Sequence, residues 1–183
     1  MLSAKIIKSA RGMMARDRSS PVLLRALAQD DRALIRSWLA DPSIRAWWGS
    51  PAAIEAEIAI AIESKSAICR MIEIGGVAIG YGNAYDAGLM EPAGGLIGEP
   101  GVWQCTFFIG SEAHRGADLG TVALDLLADE VLSTTLAIAC ETRVPVRNEA
   151  AVRQIETAGF RWKHVENQGA LGPFWIMRRD RSG

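Results

Sequence analysis

Two short stretches hold the residues whose types and spacing could do chemistry. The first is Arg115-Gly116-Ala117-Asp118-Leu119-Gly120-Thr121, a glycine-containing turn running into an apolar-periodic segment. Free amides and the positive end of a helix dipole can hold a phosphate there without any cationic side chain. Gly116 and Gly120 let the backbone approach a ligand closely, and Arg115 adds a planar donor fork. Asp118 cuts the other way, since a carboxylate turned inward would repel an anion by about 4 kcal/mol at 4 Å and a surface-type dielectric. If it points outward as a helix cap, the cost is small and Arg115 offsets it. Glycines before a helix are also common in plain turns, so the stretch needs support from elsewhere in the chain.

The second stretch is V-R-N-E-A-A-V-R-Q-I-E-T-A-G-F, residues 146–160. Asn148 is a good N-cap for a helix displaying Ala151, Val152 and Ile155, which Gly159 closes.

The elements that must position these stretches follow from periodicity. Val22 to Leu27 reads as a first strand. Asp30 and Asp31 precede Leu34, Ile35, Trp38 and Leu39, an amphipathic helix ended by Asp41-Pro42. Residues 51–64 fit both periods, and Ala and Glu content with Pro51 at the start favours helix. Residues 68–74 and 77–85 are two strands joined by Gly75-Gly76, a hairpin signal. Residues 86–101 hold five glycines and two prolines, a long loop of the kind that often carries function. Trp103 to Gly110 is a strand, followed by the glycine turn and a helix with Leu119, Val122, Ala123, Leu126, Leu127 and Val131 on one face. Leu136 to Cys140 reads as a short central strand, and strands at about 160–165 and 172–178 finish the chain. The order β-α-α-β-β-(loop)-β-α-β-α-β-β predicts an α/β protein, a mixed sheet with helices on both faces.

The two stretches together resemble the GNAT superfamily of acyl-CoA-dependent N-acyltransferases, with matches at Arg115, Gly116, Leu119, Gly120, Asn148, Ala151, Arg153, Glu156, Gly159 and Phe160. Further pieces resemble its aminoglycoside 6′-N-acetyltransferase and siderophore-type branch: Trp47-Trp48-Gly49 after Leu39, Ile79-Gly80-Tyr81 ending at Tyr85, and Phe108-Ile109-Gly110. The resemblance spans about residues 22–178 and implies a GNAT fold of six to seven strands. It implies acetyl-CoA as co-substrate, held by the Phe107–Gly110 strand (Phe108 and Ile109), by residues 115–121, and by Asn148 and Ala151. It also implies transfer of the acyl group to a primary amine of a small, aminoglycoside-like or siderophore-like molecule, by direct attack within a ternary complex.

This chain departs from the branch where the proton chemistry sits. The candidate general base, an Asp two residues before the phenylalanine of F-I-G, is Thr106 here. The Tyr near the thioester is Ile155, the middle loop glycine is Asp118, and an Asp shortly before the Asn motif aligns with Arg143. Glu99, Asp86 and Glu91 are candidates for a proton relay or for attracting a cationic amine, set against the plainer role of solvated loop charges. Trp47, Trp48 and Trp103 are candidate pocket walls, since aromatic faces suit sugar rings and cationic amines; core packing is the alternative for each. Tyr85 and Asp86 join them as candidate acceptor contacts. With Thr106 and Ile155 in place, the alternative function is a binding module that holds an acyl-CoA and catalyses little. Acetylation of protein termini or lysines would require an open groove, which the 86–101 loop narrows.

Composition limits the remaining classes. At 183 residues with 49% hydrophobic and 22% charged residues, one sizeable core is expected over 21–183. Residues 1–20 read as a basic, poorly ordered extension, with Met13 or Met14 as possible true starts. A net charge of −1 provides no field for nucleic acid. Two histidines are too few for a zinc site. Cys69, Cys105 and Cys140, widely spaced in apolar surroundings, read as reduced core thiols of a cytoplasmic protein. No stretch approaches the ~20 apolar residues of a membrane helix, and the expected assembly is a monomer or homodimer.

Overall fold

A computed structural model describes residues 21–48, 51–64, 66–89, 98–116, 118–167 and 172–182. The N-terminal extension, Ala117 and Glu91 lie outside the described residues, as does the side chain of Trp47. The elements are β1 (Val22–Ala26), α1 (Asp31–Leu39), α2 (Pro42–Trp48), α3 (Pro51–Glu63), β2 (Ala67–Ile74) and β3 (Val77–Asp86). They continue as β4 (Val102–Ile109), a 3₁₀ turn (Glu112–His114), α4 (Leu119–Thr134), β5 (Ala139–Pro145), α5 (Glu149–Thr157), β6 (Arg161–Asn167) and β7 (Pro173–Asp180).

The seven strands form one mixed sheet in the order β1-β2-β3-β4-β5-β7-β6. All neighbours are antiparallel except β4 and β5, which run parallel. Alternation along β4 splits its side chains between two cores. Trp103 and Cys105 pack with Leu124, Leu127, Ile155 and Phe160 under α4 and α5. Phe108 packs with Ile35, Leu39, Ile54 and Ile58 under α1–α3. The predicted flanking by helices on both faces therefore holds. A register shift between Ile72 and Glu73 changes the alternation of β3, so Ile79 meets α4 through Leu119 and Ala123 while Tyr81 faces α1–α3.

One expectation is extended and two are corrected. Asp41-Pro42 ends α1 but also begins α2. Asp41 accepts a hydrogen bond from the Ser43 amide at 2.8 Å, and proline suits the first helical position, where an amide would be unpaired anyway. The strand expected at Leu136–Cys140 is displaced to Ala139–Pro145: Leu136 is 96% exposed, while the polar Glu141 and Thr142 are buried between neighbouring strands. Along α4 the buried face includes Leu124 and Ala128, with Val122 and Leu126 only half-buried. The three cysteines are free and buried.

Candidate acyl-donor cleft and acceptor face

The parallel joint between β4 and β5 is short. It pairs Val102, Trp103 and Gln104 with Ala139, Cys140 and Glu141, and then stops. Beyond it β4 continues to Ile109 paired only with β3, and β5 continues to Pro145 paired only with β7. The sheet thus has an internal gap with an open strand edge on each bank, where backbone groups await partners.

A cleft of about 460 Å³ opens beside the β4 bank, lined by Phe107–Ile109, by Trp48 and Ile44 of α2, and by the turn that begins α4. Gly120 explains how that helix start reaches the strand. A Cβ there would stand 2.4 Å from the Phe107 ring, so only glycine lets the first turn of α4 lie against it. Gly116 has φ +74, and a Cβ built on it meets nothing within 4 Å, so the turn faces open space. Leu119 is buried, Thr121 is half-buried, and both belong to the first turn of α4.

Asp118 occupies the left-handed region at φ 55, which Asp and Asn tolerate better than other non-glycine residues. Its side chain makes no cap bond; it accepts from Gln154 Nε2 of α5 at 2.8 Å. It lines the cleft and does not cap α4, so of the two orientations considered from sequence the inward one is the nearer. Gln154, also lining the cleft, was missed because nothing local marks it.

Arg115 lines the cleft, but its donors are turned to protein. Nε donates to Ile109 O at 3.1 Å, Nη1 to Ser43 Oγ at 2.8 Å, and Nη2 to Gly110 O at 2.8 Å and Asp41 Oδ2 at 2.7 Å. The fork expected at a phosphate instead ties the end of β4 to the start of α2. The guanidinium, with help from Ser43, holds the Asp41 carboxyl down at about 2.

Asn148 caps α5, accepting from the Ala151 amide at 3.2 Å, and Ala151 packs on the α4/α5 core. Ile155 is buried in that core, so the position expected near a thioester is a packing position. Trp103 is likewise core, 6% exposed, and does not wall the cleft. Trp48 does, with its ring edge-on to Phe108 at 5.0 Å between centroids.

Thr106 lies opposite Asn83 in the β3–β4 ladder, and its hydroxyl donates to the Asn83 side-chain oxygen. Tyr85 stands opposite Gln104 and is half-buried on the same face as Thr106. Asp86 is on the other parity; it accepts from the Gly88 amide at 2.9 Å and closes a turn. Glu99 is held by Lys163 at 3.2 Å and Arg178 at 2.8 Å, which keep its carboxyl below the usual range. The same two cations meet buried Glu141, which also accepts from Gln104; Glu141 raises the Lys163 ammonium above its ordinary value. Sequence reading missed this network because its members come from β4, β5, β6, β7 and a loop.

No curated protein sequence matches the chain. Among solved structures, aminoglycoside acetyltransferase AAC(6')-Ib in complex with coenzyme A and kanamycin superposes with a TM-score of 0.73 at 23% identity, covering 88% of this chain and 95% of that one. Spermidine N-acetyltransferase from Vibrio cholerae in complex with CoA and spermine gives 0.70 at 16% identity, covering 87% and 95%. An uncharacterised protein from Bacillus halodurans gives 0.73 at 14% identity, covering 88% and 84%. These likenesses establish a common fold. Residues 28–166 match the family described as acetyltransferase (GNAT) domain, and with the gap, the glycine turn and the capped α5 in place, the chain belongs to that family.

Proposed function

We propose that this protein is an acetyl-CoA-dependent N-acetyltransferase that acylates a primary amine of a small molecule. The observation that carries the reading is the gap between β4 and β5, which opens beside the glycine turn at the head of α4. The residues fit an acyl-CoA. Open strand edges suit the amides of a pantetheine arm, and the uncrowded turn at Gly116 with the amides of α4 suits phosphate oxygens. The coenzyme A held by the similar aminoglycoside and spermidine acetyltransferase structures supports the same donor.

Bound there, acetyl-CoA supplies an acyl carbon activated as a thioester. The chain's own part is positioning. Phe108 and Trp48 form an aromatic wall that excludes water from the β4 bank. Thr106, whose proton goes to Asn83, offers its oxygen lone pairs to an amine N–H on the same face. It orients a nucleophile without taking its proton. Orientation of this kind can supply about 7–11 kcal/mol of a barrier, whereas a missing side-chain base forfeits roughly 10²–10⁴-fold. The reading is therefore of a slow transferase in which solvent or the substrate itself removes the proton.

The test is thiol release from acetyl-CoA over a broad panel of amines, expected to be amine-dependent. Tight CoA binding without amine-dependent release favours the second reading, a module that binds acyl-CoA and catalyses little. Burial of Ile155 and the tied hydroxyl of Thr106 are what speak for it. We place the protein in the cytoplasm, as a monomer or homodimer, which fractionation and light scattering check.

A further inference from the structure

On the acceptor side, the charges around the gap are unevenly committed. The parallel register that ends at Gln104 and Glu141 sets Thr106 on β4 and Arg143 on β5 at one level and on one face, each on its own bank. Thr106 is neutral. Arg143 is exposed on β5 beside buried Ile176 of β7. Its guanidinium makes no hydrogen bond among the described residues. Its ion pair with Glu166 stands at 3.6 Å, with side chains 34% and 38% exposed, too long for a hydrogen bond.

The other groups on this face are taken. Glu141 is held by Lys163 at 2.8 Å, Glu99 by Arg178 at 2.8 Å, Asp180 by Arg178 at 2.7 Å, and Glu166 receives His164 at 3.2 Å. Arg161 stands on β6, the outer strand of the sheet and away from the gap, and gives Nη1 to the carbonyls of Glu156 and Phe160. Among the described residues of this face, a polycationic acceptor would find no uncommitted carboxylate. An acceptor with a carboxylate would find, among the described residues on the banks of the gap, the solvated planar fork of Arg143, and fork-to-carboxylate pairing is the strong, directional kind.

Resting on the acetyl-transfer reading above, we propose that the acceptor is an amine that carries its own carboxylate, bound by Arg143 while the amine lies at the Thr106 bank. Arg143 is then a specificity-determining residue, and it selects against polyamines and aminoglycosides.

The experiment compares kcat/KM, by thiol release at saturating acetyl-CoA, for β-alanine, 4-aminobutyrate and lysine against their primary amides, and against spermidine and kanamycin. Each free carboxylate should exceed its amide by about tenfold or more, and the best chain length reads the distance between Thr106 and Arg143. Arg143→Gln should abolish that ratio, Arg143→Lys should keep part of it, and Arg143→Asp should raise turnover of spermidine and kanamycin. Thermal unfolding of each variant checks that this exposed position tolerates the change. Wild-type preference for amides or polycations, or an unchanged ratio in Arg143→Gln, overturns the proposal. The same carboxylate and amide pairs are also titrated calorimetrically into the CoA-loaded protein. Carboxylate-selective binding without amine-dependent thiol release would sink the transfer reading and leave the Arg143 assignment standing. Amine-dependent release with no carboxylate selectivity would do the reverse.

Discussion

Arg115 Nη2 lies 2.7 Å from Asp41 Oδ2, so a residue of the turn before α4 is paired with the residue that caps α2, 74 positions earlier. The pair joins the donor side of the cleft to the helix that carries Trp48. It also neutralises the one arginine among the described residues that line the cleft.

Removing the carboxylate should free that cation and delete a negative charge beside the cleft. Asp41→Asn is expected to tighten CoA binding by about two- to tenfold at low salt, an advantage that shrinks as salt is added. Calorimetry at two ionic strengths checks this, and unchanged or weaker binding would show that Asp41 does not compete for Arg115.

Acid should expose the same pair. Asp41 is held at about 2 in the fold, below the roughly 3.9 of a free aspartate. A depressed carboxyl contributes stability above the unfolded value, and that contribution is lost as pH falls through the folded one. Between about pH 4 and pH 2 the wild type should therefore lose stability more steeply than Asp41→Asn. Parallel acid-unfolding curves would contradict it.

Asp118 combines a left-handed backbone with a charge at the cleft. Asp118→Asn keeps the backbone tolerance and an acceptor for Gln154, so the fold should be unaffected while CoA binds more tightly. Asp118→Leu should cost about 1–2 kcal/mol from the backbone alone, and Asp118→Gly should not. Denaturant midpoints of the three variants separate charge from conformation.

Gly120→Ala drives a methyl into the Phe107 ring. Overpacking of this kind costs about 1–3 kcal/mol and should lift α4 from the strand, weakening CoA binding as well. The double variant Gly120→Ala/Phe107→Leu should recover part of both losses. A single variant as stable as wild type would mean that the ring moves aside freely.

What could be read from the sequence was what neighbours in the chain decide. Gly75-Gly76 marked the hairpin, and Asn148 with Gly159 bounded α5. The Arg115–Gly120 turn announced the start of α4. Asp41-Pro42 ends α1 as the sequence predicts, but α2 was not legible, because a proline that stops one helix is also a good first residue for the next; the Asp41 cap is the deciding signal. Trp103 and Ile155 went to the core because strand parity and helix phase choose the face, and residue type alone does not. Arg115 pointed away from its expected ligand because Asp41 is distant in sequence. The β5 boundary failed for a related reason: apolar Leu136 and Ile138 are exposed, while Glu141 is buried through partners on three other strands.

The three-rung junction of β4 and β5 also makes the sheet mechanically two plates joined by a short weld. Amides of residues 105–109 and 142–144 on the facing edges lie where rungs are missing. A pantetheine arm laid in the crease would act as those rungs. Donor binding should then slow hydrogen exchange along both lips of the crease and bring the two plates to unfold as one, where the free protein lets them loosen separately.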